Sequence, residues 1–509
     1  MDTIFYSMSC DFTYKMKTVF IAFRRGDGVR ESGVRIAHCG GSPDFGKPAR
    51  FPLEAEFQDG GEIMKVKRWT ALALSACMAA SLAACGGSGA GESGTKGAGE
   101  TKEAGESTGK SDAKSDGSGT ELSVTIWDNN QEPGIKEILA DFTKETGIQT
   151  KISVVKWNEY WTMLEAGAQG GSLPDVFWMH SNESERYMSN DMLLDLTDKI
   201  KGSEKIKVEN YPEDIWGLYT YKDHYYAVPK DVDTIALWYN KKLFDEAGLA
   251  YPTADWTWDD LTEAAKKLTK PDGSQYGLAL KMDNNQAGYY NLVYDKGGYI
   301  INEDKTKSGW DDPKTIEGMN ILAGWLKDGV IPSAQIQTEN AEEVLLQSGK
   351  VAMALQGSWM VAAYRDNEYT AENCDIVELP KDAVTGRRVS IYNGLGWVAA
   401  KNGKHTEEAW KLIEYLGSEE AQRKQAELGI TMSAYKGTSD AWAKSAKFNL
   451  QAYLNMMDDM VIRPYSKSTV TWETADNEII TKVYTGELTM EEACKKMAEQ
   501  MNEKLAEEK

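Results

Sequence analysis

Side chains able to grip a hydroxyl-rich molecule gather at the ends of predicted strands. Trp127, Asp128, Asn129 and Asn130 run together after one apolar alternation, Trp157 follows the next, and His180, Ser181 and Asn182 follow a third. Asp231 and Asp233 stand two apart in an extended stretch, so they share one face while Val232 points away. An ionised carboxylate only accepts hydrogen bonds, an amide accepts and donates, and Arg donates through a planar fork. Trp and Tyr add flat apolar faces with a polar edge, and 15 of the 16 Trp lie after Cys85. The combination suits recognition of a ligand whose hydroxyls donate and accept and whose C–H faces are apolar. A turn with helix-capping Asx residues accounts equally well for Asp128 to Asn130.

Other chemistries find little support. His180, His224 and His405 are far apart, with no zinc-binding spacing. The one Gly-x-Ser-x-Gly spacing, Gly105 to Gly109, lies in a Gly/Ser-rich stretch with no strand before it and so is no nucleophile elbow, and no phosphate-binding loop is present. Acidic residues are abundant, so no carboxylate pair stands out as an acid/base couple. No cofactor and no metal is expected. The net charge is −22; the first 84 residues hold 11 basic and 9 acidic groups, which leaves −24 on the remainder. That acidity argues against nucleic acid as partner. After Cys85 the chain has only Cys374 and Cys494, which are expected to stay unbridged.

The elements that must position these residues read as alternating strand and helix. Leu122, Val124 and Ile126 alternate with Ser123 and Thr125, a strand. Ile135, Ile138, Leu139 and Phe142 recur at helical spacing, and Gly147 stops that helix. Ile148 to Val154 is a second strand, Trp157 to Ala168 a second helix, and Asp175 to Met179 a short buried strand. This β-α-β-α-β order implies a parallel sheet with right-handed crossovers. Ligands of such sheets sit beyond the carboxyl ends of the strands, where the residues above lie. Near the end of the chain, Met490, Ala493, Cys494 and Met497 mark a docked amphipathic helix.

The first 120 residues read differently. Lys65, Lys67 and Arg68 precede an uncharged run from Trp69 to Ala84, which ends Leu82-Ala83-Ala84-Cys85-Gly86. A basic cluster, a short apolar run and small residues before a cut site make a secretory signal. The ending resembles a bacterial lipobox, which implies lipidation of Cys85. Gly86 to Thr120 lacks aromatic residues, Val, Ile, Leu and Met, so it cannot offset its ordering entropy by burial and is expected to be a tether. Residues 1–63 show little periodicity. Gly60-Gly61-Glu62-Ile63 ahead of Met64 can be encoded by purine-rich ribosome-binding text. Residues 1–63 are thus expected to be misassigned upstream translation, 64–84 a signal peptide, and 85–120 the lipidated Cys and tether.

Landmarks along residues 121–509 carry a resemblance. They are Gly171-Ser172-Leu173-Pro174-Asp175-Val176-Phe177, Tyr226-Ala227-Val228-Pro229-Lys230-Asp231-Val232-Asp233-Thr234, and Leu237-Trp238-Tyr239-Asn240-Lys241-Lys242-Leu243-Phe244. Trp256-Thr257-Trp258-Asp259-Asp260-Leu261, Met353-Ala354-Leu355-Gln356-Gly357-Ser358-Trp359 and Gly394-Leu395-Gly396-Trp397 follow. In this order they resemble the extracellular solute-binding proteins of bacterial ABC importers, of the carbohydrate-binding family 1 that includes maltose- and oligosaccharide-binding proteins. The resemblance implies an α/β, bilobal periplasmic-binding-protein-like fold: two α/β lobes joined by hinge crossovers, with the ligand cleft between them. The N-lobe is expected at 121–230 plus 395–450 and the C-lobe at 235–390 plus 455–509, with crossovers near 228–234 and 390–397.

The resemblance also ranks the candidates. Asp233 sits where the family commonly places a ligand carboxylate, with Asp231 as competitor, and Trp359 where a ring stacks on a sugar. Trp397 and Asn393 lie at the second crossover, Asn284, Gln286 and Tyr289 in a polar C-lobe loop, and Arg463 and Tyr465 in the late cleft segment. With Trp127, Asp128, Asn130, Trp157 and Asn182 they form the expected ligand set. The implied partners are a sugar or oligosaccharide and ABC permease subunits. The implied location is the outer face of the cell membrane, by lipid anchor, as a monomer and without catalysis. A surface carbohydrate-active enzyme and a binder of a polyamine or peptide are the competing readings.

Overall fold

The computed structural model describes residues 119–508 except Asn284, and before them only the backbone of four short strands. Those strands, Val19–Arg24, Val29–Val34, Glu56–Asp59 and Glu62–Lys65, pair antiparallel in sequence order. The signal, Cys85 and most of the tether lie outside the described residues.

From Glu121 onward the described chain builds two main sheets, beside two short two-stranded pairings, Thr220–Tyr221 with His224–Tyr225 and Ser390–Tyr392 with Met460–Ile462. The first runs in the order Val228–Pro229, Gly396–Ala399, Val176–Met179, Glu121–Ile126, Gln149–Val154. Its last three strands are parallel, as the alternation of strand and helix requires. Gly396–Ala399 enters antiparallel from far along the chain. The helix Glu132–Thr146 buries Ile135, Ile138, Leu139 and Phe142 against this sheet and stops at Gly147, whose φ of 76° suits glycine.

The second sheet runs Tyr276–Ala279, Val351–Gly357, Ile235–Asn240, Cys374–Val377. Every residue of Ile235–Asn240 is buried, because both faces are covered. Ile235, Leu237 and Tyr239 face one core, which includes the C-terminal helix Met490–Glu507; Ala236 and Trp238 face another. A strand covered on both sides reads as one apolar run. Cys374 and Cys494 are buried and free. Among the described residues no helix is long and apolar enough to cross a membrane.

One boundary differs from expectation. The stretch from Trp442 to Tyr453 packs with the second sheet. Phe448 stacks edge-on against Trp238 at 4.8 Å, and the Trp238 indole donates to the Tyr453 hydroxyl at 2.7 Å. Ala236 and Trp238 need an apolar cover, and these aromatics supply it. The chain thus returns to the C-lobe soon after Ala434, ahead of the expected break at 450–455.

The crossovers change partners within one residue. Lys230 and Asp233 donate their amides to the Leu395 and Asn393 carbonyls, and Val232 donates to Met432. From Thr234 onward the partners belong to the C-lobe: its carbonyl accepts from Ser358 N, and its hydroxyl donates to Tyr453 O. The second crossover mirrors this, with Ile391 N bonded to Asn291 Oδ1 while Asn393 pairs with Asp233.

Candidate functional site: a polar cleft between the lobes

The carboxyl ends of the N-lobe strands bring together three elements. Trp127 ends the first, Trp157 opens the helix Trp157–Gly170 after the second, and His180 caps the helix Ser181–Ser189 after the third. Trp127 meets Trp157 and Trp178 edge-on at 5.1 and 5.0 Å, and Trp157 meets His180 at 5.3 Å. Trp161, one turn beyond Trp157, joins them at 5.4 Å; its indole N–H is buried without a partner among the described residues. Trp157 is 38% exposed, an open aromatic face at the rim.

The polar centre lies at the crossovers. Asp233 is 8% exposed, and its Oδ1 accepts from Gln286 Nε2 at 2.5 Å and from Asn393 N at 3.1 Å. Both bonds fall on one oxygen, which leaves Oδ2 for another donor. Burial, then the nearby Asp231 charge, push the Asp233 carboxyl up to about 7; Gln286, Asn393 and Arg463 oppose the rise. His180 is pushed down to about 3, by burial and then by the Arg463 charge. It is therefore a neutral imidazole. Its Nδ1 lies 2.8 Å from Asn182 Oδ1 and 3.2 Å from Asn182 N, and its Nε2 lies 3.0 Å from Asn393 Nδ2.

Arg463 closes the centre from the C-lobe side. One of its terminal nitrogens, Nη2, donates to Glu473 at 2.6 Å and to Asn285 Oδ1 at 3.1 Å. Its Nε and Nη1 are buried without a partner among the described residues, as are Asn393 Oδ1 and the Tyr289 hydroxyl. Buried polar groups are nearly always paired, and an orphan calls for an explanation. The Arg463 charge acts on Asp233, His180 and Tyr289, which ties these orphaned groups to the polar centre. Trp359 sits at the end of Val351–Gly357, half-buried, with its ring over Gly357, where a Cβ would collide with it.

Other candidates fall elsewhere. Asp231 is 4% exposed; its Oδ2 pairs with the buried Lys230 ammonium at 2.6 Å, and its Oδ1 accepts from Leu395 N at 2.7 Å. Both oxygens are committed to the hinge. Trp397 is 1% exposed and packs edge-on against Trp178. The alternation of its strand turns it into the N-lobe core, with no face open to a ligand, and this corrects its place in the expected set. Tyr289 packs fully buried against Tyr290 and Trp310, so only its unpaired hydroxyl bears on the site. Asp128 caps a turn, accepting from Asn130 N and Gln131 Nε2; Asn130 is exposed. Asn284 lies outside the described residues.

Sequence reasoning underweighted His180, Gln286, Trp161 and Glu473. Trp161 was accessible through its i,i+4 spacing from Trp157. Glu473 carries no local signal; only the fold brings it to Arg463.

The chain belongs to the bacterial extracellular solute-binding protein family. The family's sequence profile matches residues 128–423, more than half of the chain. A galactooligosaccharide-binding protein of Bacillus subtilis (strain 168) is 26% identical over 348 residues, 64% of this chain and 76% of that one. A maltotriose-binding protein of Pyrococcus abyssi is 24% identical, over 62% of this chain and 66% of its own. Among solved structures, an ABC substrate-binding protein of Listeria monocytogenes in complex with cycloalternan superposes with a TM-score of 0.71. It is 24% identical and covers 76% of this chain and 100% of its own. The GacH receptor of Streptomyces glaucescens, solved unliganded and with acarbose, gives 0.68 at 20% identity, covering 77% and 99%. These likenesses establish the bilobal fold.

Proposed function

We propose that this solute-binding protein captures an uncharged sugar or oligosaccharide between its lobes and delivers it to an ABC permease. The observation that carries the reading is the mixed set of orphaned groups at the polar centre. Arg463 Nε and Nη1 donate and Asn393 Oδ1 accepts, all three buried without a partner among the described residues, and the two bonds to Asp233 fall on Oδ1, which leaves its Oδ2 to accept. A cation leaves the Arg463 donors unpaired and an anion leaves the acceptors unpaired, and each unmet buried group costs about 1–3 kcal/mol. Hydroxyls satisfy both. Arg463 is already neutralised by Glu473 and Lys230 by Asp231, so no net positive charge awaits an acid. The aromatic faces of Trp157, Trp127 and Trp359 supply cover for C–H surfaces.

Ligand bridging both lobes shifts the population toward a closed form through the crossovers. A lipid on Cys85 would hold the receptor at the membrane, and we read the protein as a monomer that breaks no bond in its ligand. Calorimetry with galactooligosaccharides, maltodextrins and arabinooligosaccharides, against uronate oligomers and spermidine, tests the ligand class. Saturable binding of a neutral glycan supports it; binding of spermidine or a uronate alone sinks it. New reducing ends after incubation with glycans would favour an enzyme. A palmitate label that survives Cys85→Ser would remove the anchor.

A further inference from the structure

The loop between Ile301 and Ser308 in the C-lobe carries a backbone anomaly with an interlobe contact at its tip. Lys305 has a φ of 55°, in the left-handed region that side chains other than glycine rarely adopt. The loop holds it there. Asn302 Oδ1 accepts from Thr306 N at 2.9 Å and Lys307 N at 2.8 Å, Lys305 N donates to Asn302 O, and Ile301 bridges to Ser308. Strain of this kind persists only where its surroundings over-determine it, and it gathers at sites with a task.

The Lys305 ammonium leaves its own lobe. It lies 3.7 Å from the Glu185 carboxylate, on the N-lobe helix Ser181–Ser189, and 3.4 Å from the centroid of the Tyr465 ring. Tyr465 packs against the N-lobe core just beyond the Arg463 that faces the cleft. Both partners are half-buried, where a cation over an aromatic face gains more than at an open surface. The same N-lobe helix begins at His180, so the contact and the polar centre share one rigid element.

We propose that Lys305 is a latch whose bonds to Glu185 and Tyr465 favour the closed arrangement of the lobes and so set ligand affinity. The latch touches no ligand; it positions the C-lobe against the helix that carries His180. It rests on the reading that the cleft closes on its ligand, and its test has a ligand-independent arm. A contact made only in the closed form raises the closed population, and apparent affinity follows that population.

The experiment compares full-length wild type with Lys305→Met, Lys305→Gly and Glu185→Gln by amide hydrogen exchange without sugar, then by calorimetry and dissociation rate with the neutral glycan that binds wild type best. The expected result is faster exchange in 180–186 and 463–466 for all three variants, with both cores unchanged. Affinity falls about tenfold, mostly through faster dissociation. Glycine relieves the left-handed strain, so Lys305→Gly separates loop integrity from latching: the loop's own protection is kept while cleft protection is lost. Exchanging the charges, Lys305→Glu with Glu185→Lys, recovers part of the loss. Wild-type exchange in the cleft segments of Lys305→Met and Lys305→Gly overturns the latch, whatever the sugar arm shows. No glycan binding to wild type defeats the functional reading alone, because the exchange arm still decides.

Discussion

Acidification should disarm the Asp233 acceptor before it harms the fold. Asp233 Oδ1 is occupied by Gln286 Nε2 and Asn393 N, both donors. A proton on this carboxyl must therefore reside on Oδ2, which turns the free acceptor into a donor. With the group pushed up to about 7, only about 1% remains ionised at pH 5. A ligand hydroxyl that donates to Oδ2 then loses up to about 100-fold in affinity between pH 8 and pH 5, about 2.7 kcal/mol. His180, pushed down to about 3, stays neutral throughout and adds nothing to the slope. The assay is calorimetry from pH 5 to 8 in buffers of different ionisation enthalpy, with proton release on binding near pH 7. Asp233→Asn should flatten the dependence. The sign for folding is opposite: the folded value lies above the ordinary 3.8, so folding takes up a proton between pH 4 and 7. Asp233 thus opposes stability increasingly as pH rises through that window, to about 4 kcal/mol. Asp233→Asn should therefore stabilise the sugar-free protein at pH 8. Flat affinity in wild type, or an unchanged slope in Asp233→Asn, would refute the reasoning.

Asp231→Asn should instead act on stability. It leaves the Lys230 ammonium, 0% exposed, without its carboxylate, and urea unfolding should register a loss of about 3–5 kcal/mol. Trp157→Ala removes a rim ring that meets Trp127, Trp161 and His180; glycan binding should weaken about tenfold by calorimetry, and urea unfolding should register a loss of about 1–3 kcal/mol for the ring contacts. Cys374 and Cys494 thiols are both pushed up to about 12 by burial. A thiol reagent at pH 8 should leave them untouched in the native protein and count both after denaturation, and reductant should not shift the melting midpoint.

The N-lobe core was legible because its periodicities are local. Ile135, Ile138, Leu139 and Phe142 point one way at helical spacing, and the parallel strands alternate with helices. Both crossovers were readable from their landmarks. The return of Trp442 to Tyr453 to the C-lobe was not, because Trp238 announces a need for cover without saying which distant aromatics answer it. The site divides along the same line. Asp233 and Trp359 were reached through sequence landmarks, whereas the Arg463–Glu473 pair and the His180–Asn393 bond join residues that share no segment. Trp397 shows the limit of a landmark: the motif marks the crossover, and strand alternation sends its ring into the core.

The change of hydrogen-bond partners between Asp233 and Thr234 carries a consequence for inhibition. Up to Asp233 the crossover is fastened to the N-lobe, and from Thr234 it is fastened to the C-lobe. The Asn393 side chain, bonded to His180, sits on the N-lobe side and the Arg463 donors, bonded to Glu473 and Asn285, on the C-lobe side, with Asp233 joined to Gln286 between them. A ligand completes a circuit only when it offers both kinds of partner at once. A deoxy or methylated analogue that satisfies one half would occupy that side without drawing the other to it. Such compounds would be decoys: they would block the cleft yet leave the two halves apart.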